Sequence, residues 1–116
     1  MDSRGFQRTL AVALDCQVRL TSHRGRDPRA DEWLDVEVGD HVWHLALERK
    51  AATGNALRDL RAHQDDLLVR WPDVVPVLAV PRLSKGERQA LREHRVNHMD
   101  LAGNVWIRSP GLVVRT

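Results

Sequence analysis

Cysteine occurs once in the 116 residues, at Cys16. A single thiol excludes an internal disulfide and a cysteine-cluster zinc site. It is expected to be a small buried apolar residue in a reducing cytoplasm. Long hydrophobic runs are also missing, so no transmembrane span and no membrane partner are expected. The first fifteen residues carry charge on both sides of a short apolar patch, which does not read as a signal peptide. There is no internal repeat and no low-complexity segment. Six histidines show no metal-ligand spacing; His41 and His44 fall on opposite faces of any strand that holds both.

Lysine is nearly absent as well. Of eighteen basic side chains only Lys50 and Lys85 are lysine, and the rest are arginine. The two cations are not equivalent near a reacting phosphate or water. The net charge of +2 and pI near 9.3 permit a polyanionic partner without requiring one. The length suits one domain, 1–116, with one core.

The hydrophobic periods give an order of elements. Phe6, Leu10, Ala13 and Leu14 recur at helical spacing over about 3–15. Cys16, Val18 and Leu20 alternate as in a half-buried strand, and the polar "SHRGRDPR" that follows is expected to be a loop carrying Arg24, Arg26 and Arg29. "DEWLDVEV" (31–38) and "HVWHLALERK" (41–50) alternate on either side of Gly39-Asp40, a type II′ hairpin signal. A helix over about 56–70 is marked by Leu57, Leu60, Leu67, Leu68 and Trp71. "VVPVLAV" (74–80) reads as a strand buried on both faces, with Pro76 at its start. Ser84 and Glu87 form a capping-box signature for a helix over about 85–94. Strands "VNHMDL", "VWIR" and "LVVR" close the chain, with turns at Gly103-Asn104 and Ser109-Pro110-Gly111. Strand–helix–strand units imply right-handed crossovers and parallel pairing, so the sheet is predicted to be mixed.

A two-residue turn at 39–40 sets Trp33 opposite Ala46, Asp35 opposite His44, and Asp31 opposite Glu48. Leu34, Val36, Val38, Trp43, Leu45 and Leu47 then share one face as core, while Asp31, Glu48 and Lys50 share the other. Opposed Cβ atoms are about 5 Å apart, and two carboxylates that close repel unless a cation lies between them. Mg²⁺ or Mn²⁺ accepts one or two carboxylates and keeps waters and phosphate oxygens in its shell. A neighbouring lysine can orient a water or stabilise developing negative charge. The trio therefore suits metal-assisted phosphodiester hydrolysis; the bland alternative is a solvated charged strand face. Asp35 is expected to pair with His44 rather than replace Asp31. Arg24, Arg26 and Arg29 suit phosphate contacts, and Trp33, on the charged face, suits contact with a nucleic acid or a partner.

A helix, three strands, a helix and a strand, with an acid on the second strand and Glu48-x-Lys50 on the third, resembles the core of the PD-(D/E)XK, or restriction-endonuclease-like, nuclease superfamily. The resemblance covers about residues 3–80. It implies an α/β fold with an αβββαβ core, here followed by a helix and further strands. It also implies that Asp31 and Glu48 bind the metal and Lys50 is the catalytic lysine. Ala30 precedes Asp31 where a proline is usual, and Gln64 is followed four residues later by Leu68 rather than the tyrosine of exonuclease relatives. The second half, with "VNHMDLAGN", is similar to a segment of abortive-infection, type IV antitoxin-like regulators. His98 stands there where an aromatic is usual. In that family a nuclease-like domain often precedes a winged helix, so the chain is expected to be either a stand-alone domain or a fragment of a longer protein with a winged helix.

Two function classes follow. One is a divalent-metal-dependent nuclease, with DNA expected ahead of RNA. The other is a non-catalytic, antitoxin-like module that binds nucleic acid or protein with the same fold. A homodimer formed through edge strands is a third reading.

Overall fold

The structure is a computed structural model and describes residues 4–14, 19–23, 32–38, 40–51 and 57–116. Asp31, Arg24, Arg26, Arg29, Cys16 and Gly39 lie outside these residues. The described elements are α1 (Arg4–Leu14), β1 (Arg19–His23), β2 (Glu32–Val38), β3 (His41–Arg49), α2 (Leu57–Arg70), β4 (Val74–Ala79), α3 (Lys85–Glu93), β5 (His98–Met99), β6 (Val105–Ser109) and β7 (Leu112–Arg115). This is the expected αβββαβ order, extended by a helix and three strands.

The strands form one mixed sheet in chain order, β1 to β7. β1, β2 and β3 are antiparallel. β4 runs parallel to β3, and β5 parallel to β4, because α2 and α3 serve as crossovers. β5, β6 and β7 are antiparallel again. The β2–β3 register follows the turn reading: Val38 opposes His41, Asp35 opposes His44, and Trp33 opposes Ala46.

Side-chain alternation gives the sheet two buried faces. Leu34, Val36, Leu45, Leu47, Val75 and Val77 pack with Phe6 and Leu10 of α1. Burying Phe6 and Leu10 stabilises by roughly 1.5–3 kcal/mol each. The alternate residues face α2 and α3: Leu78 and Val80 pack with Leu60 and Leu91. Trp33, Ala46 and Val74 pack with Leu67 and Trp71. β4 lies under both layers, and every one of its residues is buried.

Several local expectations shift. β1 runs to His23, into the stretch read as loop, because it pairs with β2 along its whole length, His23 opposite Trp33. Pro76 sits inside β4 rather than at its start. The Leu78 and Val80 amides donate toward the β5 side, to Asn97 and Met99 carbonyls. Strand alternation aims position 76 the same way, ahead of β5, so no ladder bond is lost. There the Pro76 carbonyl accepts from Asn97 Nδ2 at 3.1 Å.

The Ser84–Glu87 capping box forms with both reciprocal bonds present. Past the His94 C-cap of α3, Arg95 takes the left-handed region at φ 56°. Val96 N–H donates back to Leu91 O at 2.9 Å, and both side chains share one apolar cluster.

β5 is only two residues long because Asp100 diverts the chain. Its Oδ1 accepts from the amides of Ala102 and Asn104, both at 3.0 Å, and its Oδ2 from Asn104 Nδ2 at 2.9 Å. The positive φ in this turn belongs to Gly103 at 101°, and Asn104 has an ordinary φ.

Candidate active site

Glu48 lies near the end of β3, opposite Leu78 of β4. Lys50 follows just beyond the strand, with its N–H bonded to Ala79 O at 3.0 Å. Period-2 geometry puts both side chains on the α2 side of the sheet. Lys50 Nζ stands 3.5 Å from Glu48 Oε1. The other oxygen, Oε2, has His63 Nε2 of α2 at 3.2 Å, without hydrogen-bond alignment. The Glu48 carboxylate is 22% exposed, the imidazole 25% and the lysine 41%. The cluster therefore sits at a rim, accessible from solvent yet partly shielded, where charge interactions exceed their value in bulk water.

His63 was not singled out by motif. Its signal is positional: it falls three residues after Leu60 and four before Leu67, both buried, so it shares the inward face of α2. A motif search confined to Glu48-x-Lys50 passes over it.

Asp35 and His44 form the expected pair, Oδ1 to Nδ1 at 2.7 Å. Trp33 corrects an expectation. It lies on the same face as Glu48, but that face is covered by α2, and Trp33 is 1% exposed against Leu67 and Trp71. A ring so enclosed offers no platform for a base. The charged face was read as open because strand alternation reveals which residues share a face but not what covers it.

Asp31 lies outside the described residues, as do the loop arginines Arg24, Arg26 and Arg29. The described ladder ends with Glu32 opposite Leu47, one step short of Glu48. Among the described residues no three of His, Cys, Asp or Glu gather as a metal cluster. No described helix is long and apolar enough to cross a membrane.

A second polar cluster occupies the same side of the sheet farther along. His98, Trp106 and Arg115 are successive partners across β5, β6 and β7. His98 is 2% exposed, its Nδ1 donates to Val96 O at 2.8 Å, and its ring stacks on Trp106 with centroids 5.8 Å apart. Burial pushes its pKa below the ordinary value of 6.5. The Val96 bond and Asp100 oppose that shift, while Arg92 and Arg88 add to it. As pH falls below 6.5 the unfolded chain takes up a proton that the folded chain resists. Stability is therefore full above 6.5 and declines toward the lower folded pKa. His98→Asn is expected to flatten that acid-side decline in melting temperature measured between pH 7.5 and 5.

No protein-family model matches the chain, and no curated protein matches its sequence. Among solved structures it is similar to the apo form of EndoMS, at 16% identity and a TM-score of 0.41, over 86% of this chain and 47% of that one. It is also similar to an XisH family protein from Nostoc punctiforme PCC 73102, at 15% identity and a TM-score of 0.41, over 97% of this chain and 99% of that one. The chain thus spans about half the length of the EndoMS chain. The comparisons give no support to the resemblance to abortive-infection regulators.

Proposed function

We propose that this chain is a divalent-metal-dependent nuclease that hydrolyses phosphodiester bonds of nucleic acid, DNA ahead of RNA. The observation that supports this reading is the Glu48 carboxylate held at a solvent-accessible rim between Lys50 and His63. Mg²⁺ needs few protein ligands, and the carboxylate donors it prefers fit Glu48. The reading requires Asp31 to continue the β2–β3 ladder by one residue, opposite Glu48, as the second acid. A bound Mg²⁺ would supply Lewis-acid chemistry at the phosphate. Lys50 orients the attacking water or donates to the phosphoryl oxygen that gains charge. His63 stands 3.2 Å from the other Glu48 oxygen and limits how the carboxylate can turn. The loop arginines Arg24, Arg26 and Arg29 would hold flanking phosphates.

One observation favours the non-catalytic module instead. Glu48 has a nitrogen close to each of its oxygens, so its charge is balanced without a metal. Plasmid and single-stranded substrates incubated with Mg²⁺, with Mn²⁺ and with chelator separate the two readings. The nuclease cuts only with metal, and Lys50→Ala stops it. Salt-sensitive binding without cutting would select the module. His63→Ala is expected to lower the cleavage rate by about 10- to 100-fold, as loss of a residue that orients a ligand does, and so less than Lys50→Ala.

A further inference from the structure

Arg88 and Arg92, one helical turn apart on α3, reach over the row His98–Trp106–Arg115 on the sheet beneath. Together with Asn104 these side chains line a cavity of about 140 Å³. Three arginines line it, and no described carboxylate lies within ion-pair distance of any of them. The cluster concentrates positive charge, with the buried Asp100 reaching it only through Asn104.

Arg88 is held in place by a chain of bonds. Its Nη1 donates to Asn104 Oδ1 at 2.8 Å, and Asn104 Nδ2 donates to the fully buried Asp100. Arg88 Nε is buried with no hydrogen-bond partner. A buried cationic donor left unmet costs more than a typical hydrogen bond contributes, which leaves the Arg88 guanidinium short of partners beside the cavity. His98, with Nδ1 committed to Val96, keeps Nε2 as an acceptor while neutral.

We propose that this cavity is a phosphoryl-binding site. Guanidinium groups match phosphate oxygens in geometry as well as charge. Small-molecule sites run to roughly 300–1,000 Å³, so a cavity of about 140 Å³ takes a group rather than a whole ligand. The group is a free phosphate-type anion or the phosphate of a nucleic-acid strand. Glu48, Leu78 and His98 are successive register partners on β3, β4 and β5. Two strand spacings, about 10 Å, therefore separate the base of this cavity from Glu48. The site does not depend on cleavage at Glu48.

The test is thermal melting of the whole chain in inorganic phosphate against chloride at matched ionic strength. Phosphate is expected to raise the melting temperature of the native chain and of Lys50→Ala equally. Arg92→Gln and Arg115→Gln change exposed side chains, so folding in chloride should be retained. Each should weaken phosphate binding about tenfold, the loss of one charge-assisted bond. No rise beyond chloride, or a rise undiminished in both variants, overturns the site. Labelled single strands with a 5′-phosphate or a 5′-hydroxyl, bound in chelator, identify the source. Displacement of the strand by inorganic phosphate assigns the site to a nucleic-acid phosphate, terminal if the 5′-phosphate form binds more tightly. Strands that do not compete assign it to a free anion. Absence of metal-dependent cutting by the native chain, with the phosphate effect intact, would reject the nuclease reading alone.

Discussion

Glu48→Gln is expected to reduce metal-dependent cleavage by about 10³-fold or more, while leaving the fold intact. The substitution is isosteric at a position that is only partly buried, and it removes the negative charge that would hold the cation. An amide cannot neutralise Mg²⁺, and its NH₂ group points a donor where the metal needs an oxygen. Losing a single preorganised electrostatic contact in a hydrolytic site costs roughly 10²–10³ in rate; losing a metal ligand removes the contact and the cation's occupancy together. The Lys50 contact at 3.5 Å and the His63 contact at 3.2 Å both weaken without the carboxylate charge. Neither supports a core, so melting should move little, as expected of a rim ion pair. Single-turnover cleavage at saturating Mn²⁺, beside a melting curve of the same sample, checks both halves. A variant that melts early and cuts poorly would point to a structural role for Glu48.

Asp100→Ala should have the largest effect on stability among the polar positions. Asp100 is fully buried, and its carboxylate accepts the amides of Ala102 and Asn104 and the Asn104 side chain. Truncation leaves those three donors unsatisfied in the turn that joins β5 to β6. Each unmet buried donor costs about 1–3 kcal/mol, so a loss of about 3–5 kcal/mol is expected after partial rescue by water. Asp100→Asn keeps Oδ1 for the two amides but sets one NH₂ against another, and should cost about 1–3 kcal/mol. Urea unfolding of the two variants should preserve this order. Because Asn104 also holds Arg88, Asp100→Ala is expected to loosen the arginine cavity.

The order of elements was legible because hydrophobic period and turn chemistry agreed over most of the chain. The Gly39-Asp40 signal, flanked by strict alternation, is enough to set Trp33 against Ala46 and Asp35 against His44. The Ser84–Glu87 cap was legible for the same reason: its partners are three residues apart. What failed to read out was tertiary. The cover that α2 places over Trp33 depends on a crossover connection, not on the strand's own pattern. β5 shrank to two residues because a side chain, Asp100, competes for the backbone amides that a longer strand would have used. His63 joins Glu48 only once α2 is docked on the sheet, although its place between Leu60 and Leu67 on the inward face was implicit in the helical period. The basic cavity is assembled from α3, β5, β6 and β7, and its arginines, on α3 and β7, look in sequence like the rest of an arginine-rich chain.

The most direct measurement is calorimetric titration of the chain with Mn²⁺, repeated with Glu48→Ala. Saturable binding in the native chain that disappears in the variant, with an unchanged melting temperature in chelator, is the expected result. Equal binding by both chains, or none by either, would contradict a metal site at Glu48.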